Sequence, residues 1–219
     1  MQRRTFATRT ALSLIAASAL LWGCSKSGTE PAAGAASAAS AAAAASYTKV
    51  VVGLDDNFPP MGFSDEKGEL VGYDIDMARE AGKRLGIEME FKPIDWSAKE
   101  AELNGKRVDM LWNGMTITEE RKKNVAFTKP YMQNHQIIIV TSKSDVKAKA
   151  DLSGKVVGVQ DGSSAVDAVN KEAELAKSMK EIKKFGDNVA ALMDLSTGRL
   201  DAVVVDEVVG RYYTSKKPG

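Results

Sequence analysis

The chain contains one cysteine and one histidine. Cys24 therefore has no partner for an internal disulfide. One imidazole without structural thiols cannot assemble a metal site of the usual ligand count, so neither a metal nor a cofactor is expected. An excess of either charge is also missing. The formal net charge is +1, which points away from nucleic acid and from an anionic membrane surface as partners. Aromatic residues make up 6% of the chain, leaving the core to aliphatic side chains. His135 lies in the polar stretch Tyr131-Met132-Gln133-Asn134-His135 and reads as a surface or loop residue rather than a catalyst.

The N-terminal segment has the form of an export signal. Arg3, Arg4 and Arg9 precede the apolar run from Ala11 to Leu21, which is too short to span a bilayer as a mature helix. The run ends in Leu21-Trp22-Gly23-Cys24. A lone Cys after an apolar run and a small residue resembles the bacterial lipobox, which implies lipid modification at Cys24. Trp22 departs from the small residue usual at its position. Arg3-Arg4-Thr5-Phe6 faintly resembles a twin-arginine signal. Ser25 to Ser46 is Ala/Ser/Gly-rich and lacks the apolar bulk to offset the entropy of ordering, so it is expected as a disordered tether. The expected organisation is a signal peptide with lipobox over 1–24, a tether over 25–46, a first lobe over 47–138 and a second over 139–219.

The stretch Trp112-Asn113-Gly114-Met115-Thr116-Ile117-Thr118-Glu119-Glu120-Arg121 follows a short apolar run, Arg107 to Leu111, that reads as a strand. Thr118 is placed as a helix N-cap with Glu119 and Glu120 in the first turn, where acids suit the helix dipole. Arg121 does not suit that position. With Gly114 and Thr116 leaving backbone N–H groups approachable, it forms a receptor for a small anion such as a carboxylate. The same residues could also be an ordinary strand-to-helix turn with a solvated Arg.

Apolar runs bounded by turn residues place further strands at Lys49–Leu54, Met89–Ile94, His135–Thr141, Lys155–Val159, Ile182–Phe185 and Asp201–Val205. Helices are expected from Asp74 to about Leu85, across Trp96–Asn104, after Gly162 through about Lys180, and over Asn188–Thr197. Asp55 to Phe63, with two prolines, reads as a stiff loop, and Ala148–Leu152 as a helical turn. Lys49-Val50-Val51-Val52-Gly53-Leu54-Asp55-Asp56 is echoed by Lys155-Val156-Val157-Gly158-Val159-Gln160-Asp161-Gly162, and Asn104–Asp109 by Thr197–Asp201. Each half thus runs strand, helix, strand, helix, strand. Two α/β lobes joined by an extended segment near 136–141 predict a cleft at the strand ends, where open α/β sheets bind ligands.

Those ends carry two anion-type sites and two acids. Asn113, Gly114, Thr116 and Arg121 make the first anion site; Gly162-Ser163-Ser164 at a helix start make the second. Asp55 and Asp206 are acceptors for an ammonium, and Phe58 and Trp96 could sandwich an apolar part of the ligand. Asn113 and Gln160 suit a neutral polar group. A carboxylate facing an ammonium describes an amino-acid zwitterion. Plain alternatives remain for each residue: Ser163 as an N-cap, Asp206 as a helix-start acid, Phe58 and Trp96 as core.

The motifs Gly53–Met61, Gly72-Tyr73-Asp74-Ile75-Asp76, Asn113–Arg121, Gly158–Ser164 and Val205-Asp206-Glu207 resemble, in order, periplasmic solute-binding proteins of the polar amino acid type, which serve ABC importers. The resemblance covers about Lys49 to Glu207. It implies a two-lobe α/β fold of the type II periplasmic-binding-protein kind. It implies that the aromatics at Phe58 and Trp96 pack on the ligand. Arg121, Gly114 and Thr116, joined by Ser163 or Ser164, take the α-carboxylate, Asp206 takes the α-ammonium, and Asp55 lies near the ligand side chain. The implied partners are an amino acid, an ABC permease and a membrane reached through the lipid at Cys24, with the protein a monomer of the cell envelope on the periplasmic or extracellular face. Family members continue past the position of Pro218, so the fold is expected to be incomplete at its C-terminus. A secreted dehydratase of small carboxylic acids on the same fold, or a receptor sensor module, are the alternatives.

Overall fold

The protein is described by a computed structural model over residues 47–216. The expected export signal, the expected tether and Cys24 lie outside the described residues. Strand β1 (Lys49–Leu54) is a β-branched run that becomes more buried toward its C-terminal end, and it pairs in parallel with β5 (Glu88–Pro93) and β6 (Met110–Leu111). Between them, helix α1 (Tyr73–Leu85) has Asp74 and Asp76 in its first turn and Lys83 and Arg84 in its last, both favourable to the helix dipole. It stops at Gly86, whose φ of 67° is readily adopted only without a side chain. A 3-10 turn (Trp96–Ala98) capped by Asp95 leads into α2 (Lys99–Asn104).

The second sheet repeats the arrangement. Strand β8 (Val156–Gln160) lies between β9 (Glu181–Phe185) and β10 (Ala202–Asp206), all parallel. Thus β5-β1-β6 corresponds to β9-β8-β10, as the sequence echo predicts. Residues alternate across β10: Val203 and Val205 pack with Leu192 and Leu195 of α5 (Asn188–Ser196), while Ala202 and Val204 pack with Ala165 and Val169 of α3 (Ser164–Lys171). The chain then continues into α6 (Glu207–Lys216).

Several expectations need correction. The strand expected over His135–Thr141 is shorter, β7 (Gln136–Ile139), and pairs antiparallel with β10 at the edge of the second sheet. Its alternating apolar residues explain this, with Ile137 and Ile139 entering one core and Ile138 the other. The expected loop Asp55–Phe63 contains β2 (Asn57–Phe58) and the start of β3 (Gly62–Ser64), which with β4 (Leu70–Val71) form a small antiparallel sheet. The single helix expected from Ser164 to Lys180 is broken at Glu172, where ψ is 57°. The second piece, α4 (Ala173–Ser178), turns so that Ser178 O accepts from Gly154 N at 2.7 Å, seating it beside the start of β8. Strand β6 is shorter than expected because a turn through Lys106, with φ at 55°, occupies its first residues.

Within α1, Ile75 is 1% exposed and Met77 44%. Ile75→Ala is expected to cost about 2–5 kcal/mol of unfolding free energy in urea denaturation. Met77→Ala should stay within about 0.5 kcal/mol.

Candidate functional site

Segments following β1, β5, β6 and β8 meet the end of β10 around one cleft. Phe58, Trp96, Asn113, Gly114, Met115, Thr116, Arg121, Ser163, Ser164 and Asp206 line a narrow, open cleft. Nine of the eleven ligand-site residues picked out in the sequence are among them. Asp55 and Gln160 are not.

Arg121 is buried, 6% exposed. Its Nη1 donates to Thr116 O at 2.8 Å and its Nη2 to Gly162 O at 3.0 Å. Two of its five N–H groups are thereby committed. Burial lowers its pKa, and the negative charges of Asp167, Asp206 and Glu100 act in the opposite direction. The helix expected after Thr118 is only a 3-10 turn, Arg121–Lys123. Its N-cap position is Glu120, which makes no side-chain cap, although the Thr118 hydroxyl accepts from Arg121 N at 3.2 Å. With no α-helix there, the dipole explains neither the acids nor the Arg. What places Arg121 is the pair of carbonyls that hold its fork.

Gly162 has φ of +66°, and a Cβ there would lie 2.7 Å from Ser97 Cα. This is close backbone approach between the loop after β8 and the Trp96 turn, and only glycine permits it. Gly162 O also accepts from Lys99 Nζ at 2.8 Å. Lys99 is 4% exposed, and its ammonium lies 5.4 Å from the Trp96 ring centroid. Burial and then the charge of Arg121 lower its pKa. Sequence reading missed Lys99. Its signal is the i, i+3 spacing from Trp96, which on a helical turn places the ammonium against the ring.

Gly114 also has positive φ, at 59°, and a Cβ there would press on Phe58 Cε1 at 3.3 Å. Its N–H donates to Tyr131 Oη at 3.0 Å, and that hydroxyl donates to Asp74 Oδ1 at 2.9 Å. Burial pushes the Asp74 carboxyl up to about 6, against the Tyr131 bond, which lowers it. The motif around Asp74 was visible in the sequence, but its link to Gly114 was not.

Asp206 closes β10 and is 6% exposed. Burial raises its pKa; amide donors from Asn134 and Gln136, and then Arg121, pull it back down. Ser163 is an N-cap in the plain sense. Its Oγ accepts from Ala165 N at 3.2 Å and donates to Gln160 O at 2.8 Å, so the hydroxyl is already occupied. Ser164 Oγ donates to Thr116 Oγ1 at 3.2 Å, across the cleft. Phe58 is both wall and core, packing with Val205 and Val209 as well as lining the cleft. Asn113 lines the cleft, while its amide brackets Asp55, accepting from Asp55 N at 3.2 Å.

Asp55 and Gln160 pair with each other beside the cleft instead of facing it. Gln160 Nε2 donates to Asp55 Oδ2 at 2.6 Å, and Gln160 Oε1 accepts from Asn188 Nδ2 at 2.8 Å. The two sheets thus share a buried polar contact. Asp55, expected near the ligand side chain, also joins the lobes, with its Oδ2 held by Gln160. Burial raises its carboxyl to about 6, opposed by the Asn57 N–H and by Gln160. Among the described residues no group of acids, cysteines and histidines is placed to hold a metal ion.

Comparison with known proteins adds to this geometry. Residues 50–204 match the model of bacterial extracellular solute-binding proteins, family 3. The chain is 32% identical to the L-cystine-binding protein of Escherichia coli (strain K12) over 163 residues, 73% of this chain and 59% of that one. It is 33% identical to the histidine-binding periplasmic protein of Salmonella typhimurium (strain LT2) over 172 residues, 78% of this chain and 65% of that one. The chain therefore spans about three-fifths of the length of these relatives. An ancestral arginine-binding protein bound to arginine superposes with a TM-score of 0.74 at 43% identity, covering 78% of this chain and 76% of that one.

The folded-state pKa of Asp55 lies above its ordinary value of 3.8, so the folded protein holds this proton more tightly than the unfolded chain. Its contribution to stability is full below about pH 3.8 and is lost as pH rises through about 6. Carbon-13 NMR of the Asp55 carboxyl is expected to show a midpoint near 6, and Gln160→Leu to move it higher. A midpoint in the ordinary carboxylate range in both proteins would contradict the buried placement.

Proposed function

The chain belongs to the bacterial extracellular solute-binding proteins of family 3, and from that premise we propose that it captures an amino acid in the cleft and delivers it to an ABC importer. One observation carries the reading. Buried Arg121 and buried Asp206 line the same cleft, near enough to influence each other's ionisation, and neither is engaged in an ion pair with a described residue. A zwitterion matches that pattern with its two ends.

Arg121, with the backbone at Gly114 and Thr116 and the Ser164 hydroxyl, takes the α-carboxylate. Asp206 takes the α-ammonium, and Phe58 and Trp96 pack against the remainder. Arg121 gives up part of its hold on backbone carbonyls when the carboxylate arrives, exchanging neutral acceptors for a charged one. Asp55, Gln160 and the Gly162 loop hold the lobes together around the ligand, so binding favours the closed arrangement. The closed form docks on the permease. The chain acts as a monomer, tethered to the envelope by lipid on Cys24. That two relatives are named for cystine and histidine, and a solved neighbour for arginine, supports an amino acid as the ligand class.

Thermal unfolding with L-arginine, L-histidine, L-cystine and L-glutamine is expected to show a saturable rise in melting temperature for at least one of them, with the amino acid recovered unchanged. Consumption of the ligand would point to a secreted enzyme on the same fold, and no shift with any of the four would overturn the reading. Arg121→Ala is expected to weaken binding by about 2–5 kcal/mol, the scale of a buried charged hydrogen bond that loses one partner, while the far-ultraviolet circular dichroism stays unchanged.

A further inference from the structure

Asp206 faces Gln136 across the β10–β7 pair. Its Oδ1 accepts from Gln136 Nε2 at 2.7 Å and also from Asn134 Nδ2. The same Gln136 nitrogen donates to Ser164 Oγ at 3.0 Å, and the same Asn134 nitrogen donates to Thr116 Oγ1 at 3.0 Å. Ser164 Oγ donates in turn to Thr116 Oγ1 at 3.2 Å. These five bonds form a closed ring. Thr116, Ser164 and Asp206 line the cleft, while the two amides stand behind it. Asp206 Oδ2 takes no hydrogen bond from any other described residue.

The amides are oriented at a cost. Asn134 Oδ1 and Gln136 Oε1 are buried and accept no hydrogen bond from the protein. An unpaired buried carbonyl is unfavourable. Turning either amide over would set its lone pairs against the Asp206 carboxylate, which is worse. Two amide carbonyls are therefore left unsatisfied so that one carboxylate oxygen receives two N–H donors.

We propose that Asn134 and Gln136 are positioning residues that commit Asp206 Oδ1 to the protein and leave Oδ2 as the acceptor presented to a ligand's cationic nitrogen. This rests on the amino-acid reading above. Because the ring runs through Thr116 on one lobe and Ser164 on the other, the carboxylate is fully held only when the cleft walls are together. The ammonium subsite is completed by closure.

A pH profile separates this role from simple packing. The charged and titratable groups around Asp206 are Arg121 across the cleft, Glu207 at the next position (paired with Arg211) and His135, whose carbonyl accepts from Glu207 N. A cationic ligand nitrogen needs the Asp206 carboxylate ionised, so affinity is present above the carboxyl's pKa and lost as pH falls through it. The two amides lower that pKa. Removing one raises it, so the loss begins at higher pH.

The full chain and its Gln136→Met and Asn134→Ala variants would be titrated calorimetrically with L-arginine, L-histidine, L-cystine and L-glutamine at about pH 6 and about pH 8. The expected result is that each variant loses about tenfold in affinity at the higher pH, the scale of one charge-assisted hydrogen bond, and clearly more at the lower. The melting temperature without ligand should stay close to that of the unsubstituted protein. Affinity unchanged within about twofold overturns the positioning role. An equal loss at both pH values together with lost stability assigns a structural role instead and also overturns it. No binding of any of the four by the unsubstituted protein removes the amino-acid reading and this proposal with it.

Discussion

Two cations share one carbonyl oxygen at the centre of this molecule. Gly162 O accepts from Lys99 at 2.8 Å and from Arg121 at 3.0 Å. Both donors come from one side of the cleft and the acceptor from the other. Desolvating two cations is costly, and neither is neutralised by an ion pair among the described residues, so the carbonyls of Gly162, Thr116 and Trp96 and the Trp96 ring carry the compensation. The loop that supplies the carbonyl approaches so closely that any side chain at Gly162 would strike Ser97. The width of the cleft, the burial of Trp96 and the depth of Arg121 all follow from that docking. The Asp55–Gln160–Asn188 contact is a second fastening between the two sheets.

This arrangement leaves an electrostatic demand. Lys99 and Arg121 give one wall of the cleft a positive field in a region of low polarity, where charges act more strongly than in water. Asp206, with one oxygen held by amides and the other uncommitted, makes the opposite wall negative. A ligand with a carboxylate at one end and an ammonium at the other relieves both. Part of Arg121's fork already rests on carbonyls, so an arriving carboxylate improves an existing set of hydrogen bonds without having to organise a solvated side chain.

Local patterns carried much of this into the sequence. The apolar runs at Val50–Val52, Val156–Val159 and Ala202–Val205 identified the central strands because β-branched residues bounded by turns have few alternatives. Their echo gave the duplicated sheet order, and strand ends are where such folds gather ligands. Arg121, Asp206, Trp96 and Phe58 were legible because charged and aromatic residues at those ends stand out. What depended on tertiary partners was not. Nothing local shows that Asp55 would pair with Gln160, 105 positions later. Lys99 resembled an ordinary helical lysine, since nothing local shows that Gly162 would cover it. Thr118 had every mark of a helix cap, yet the chain leaves after one turn. Asn134 and Gln136 alternate along an extended run and so project to one side, a weak signal that becomes informative only once Asp206 is known to lie opposite.

The most direct test is a crystal structure of the protein with whichever of the four amino acids raises its melting temperature most. The account predicts the α-carboxylate on Arg121 and the α-ammonium on Asp206 Oδ2, with Oδ1 still held by Asn134 and Gln136. A ligand bound in the reverse sense, or one leaving Asp206 Oδ2 without a nitrogen partner, would contradict it.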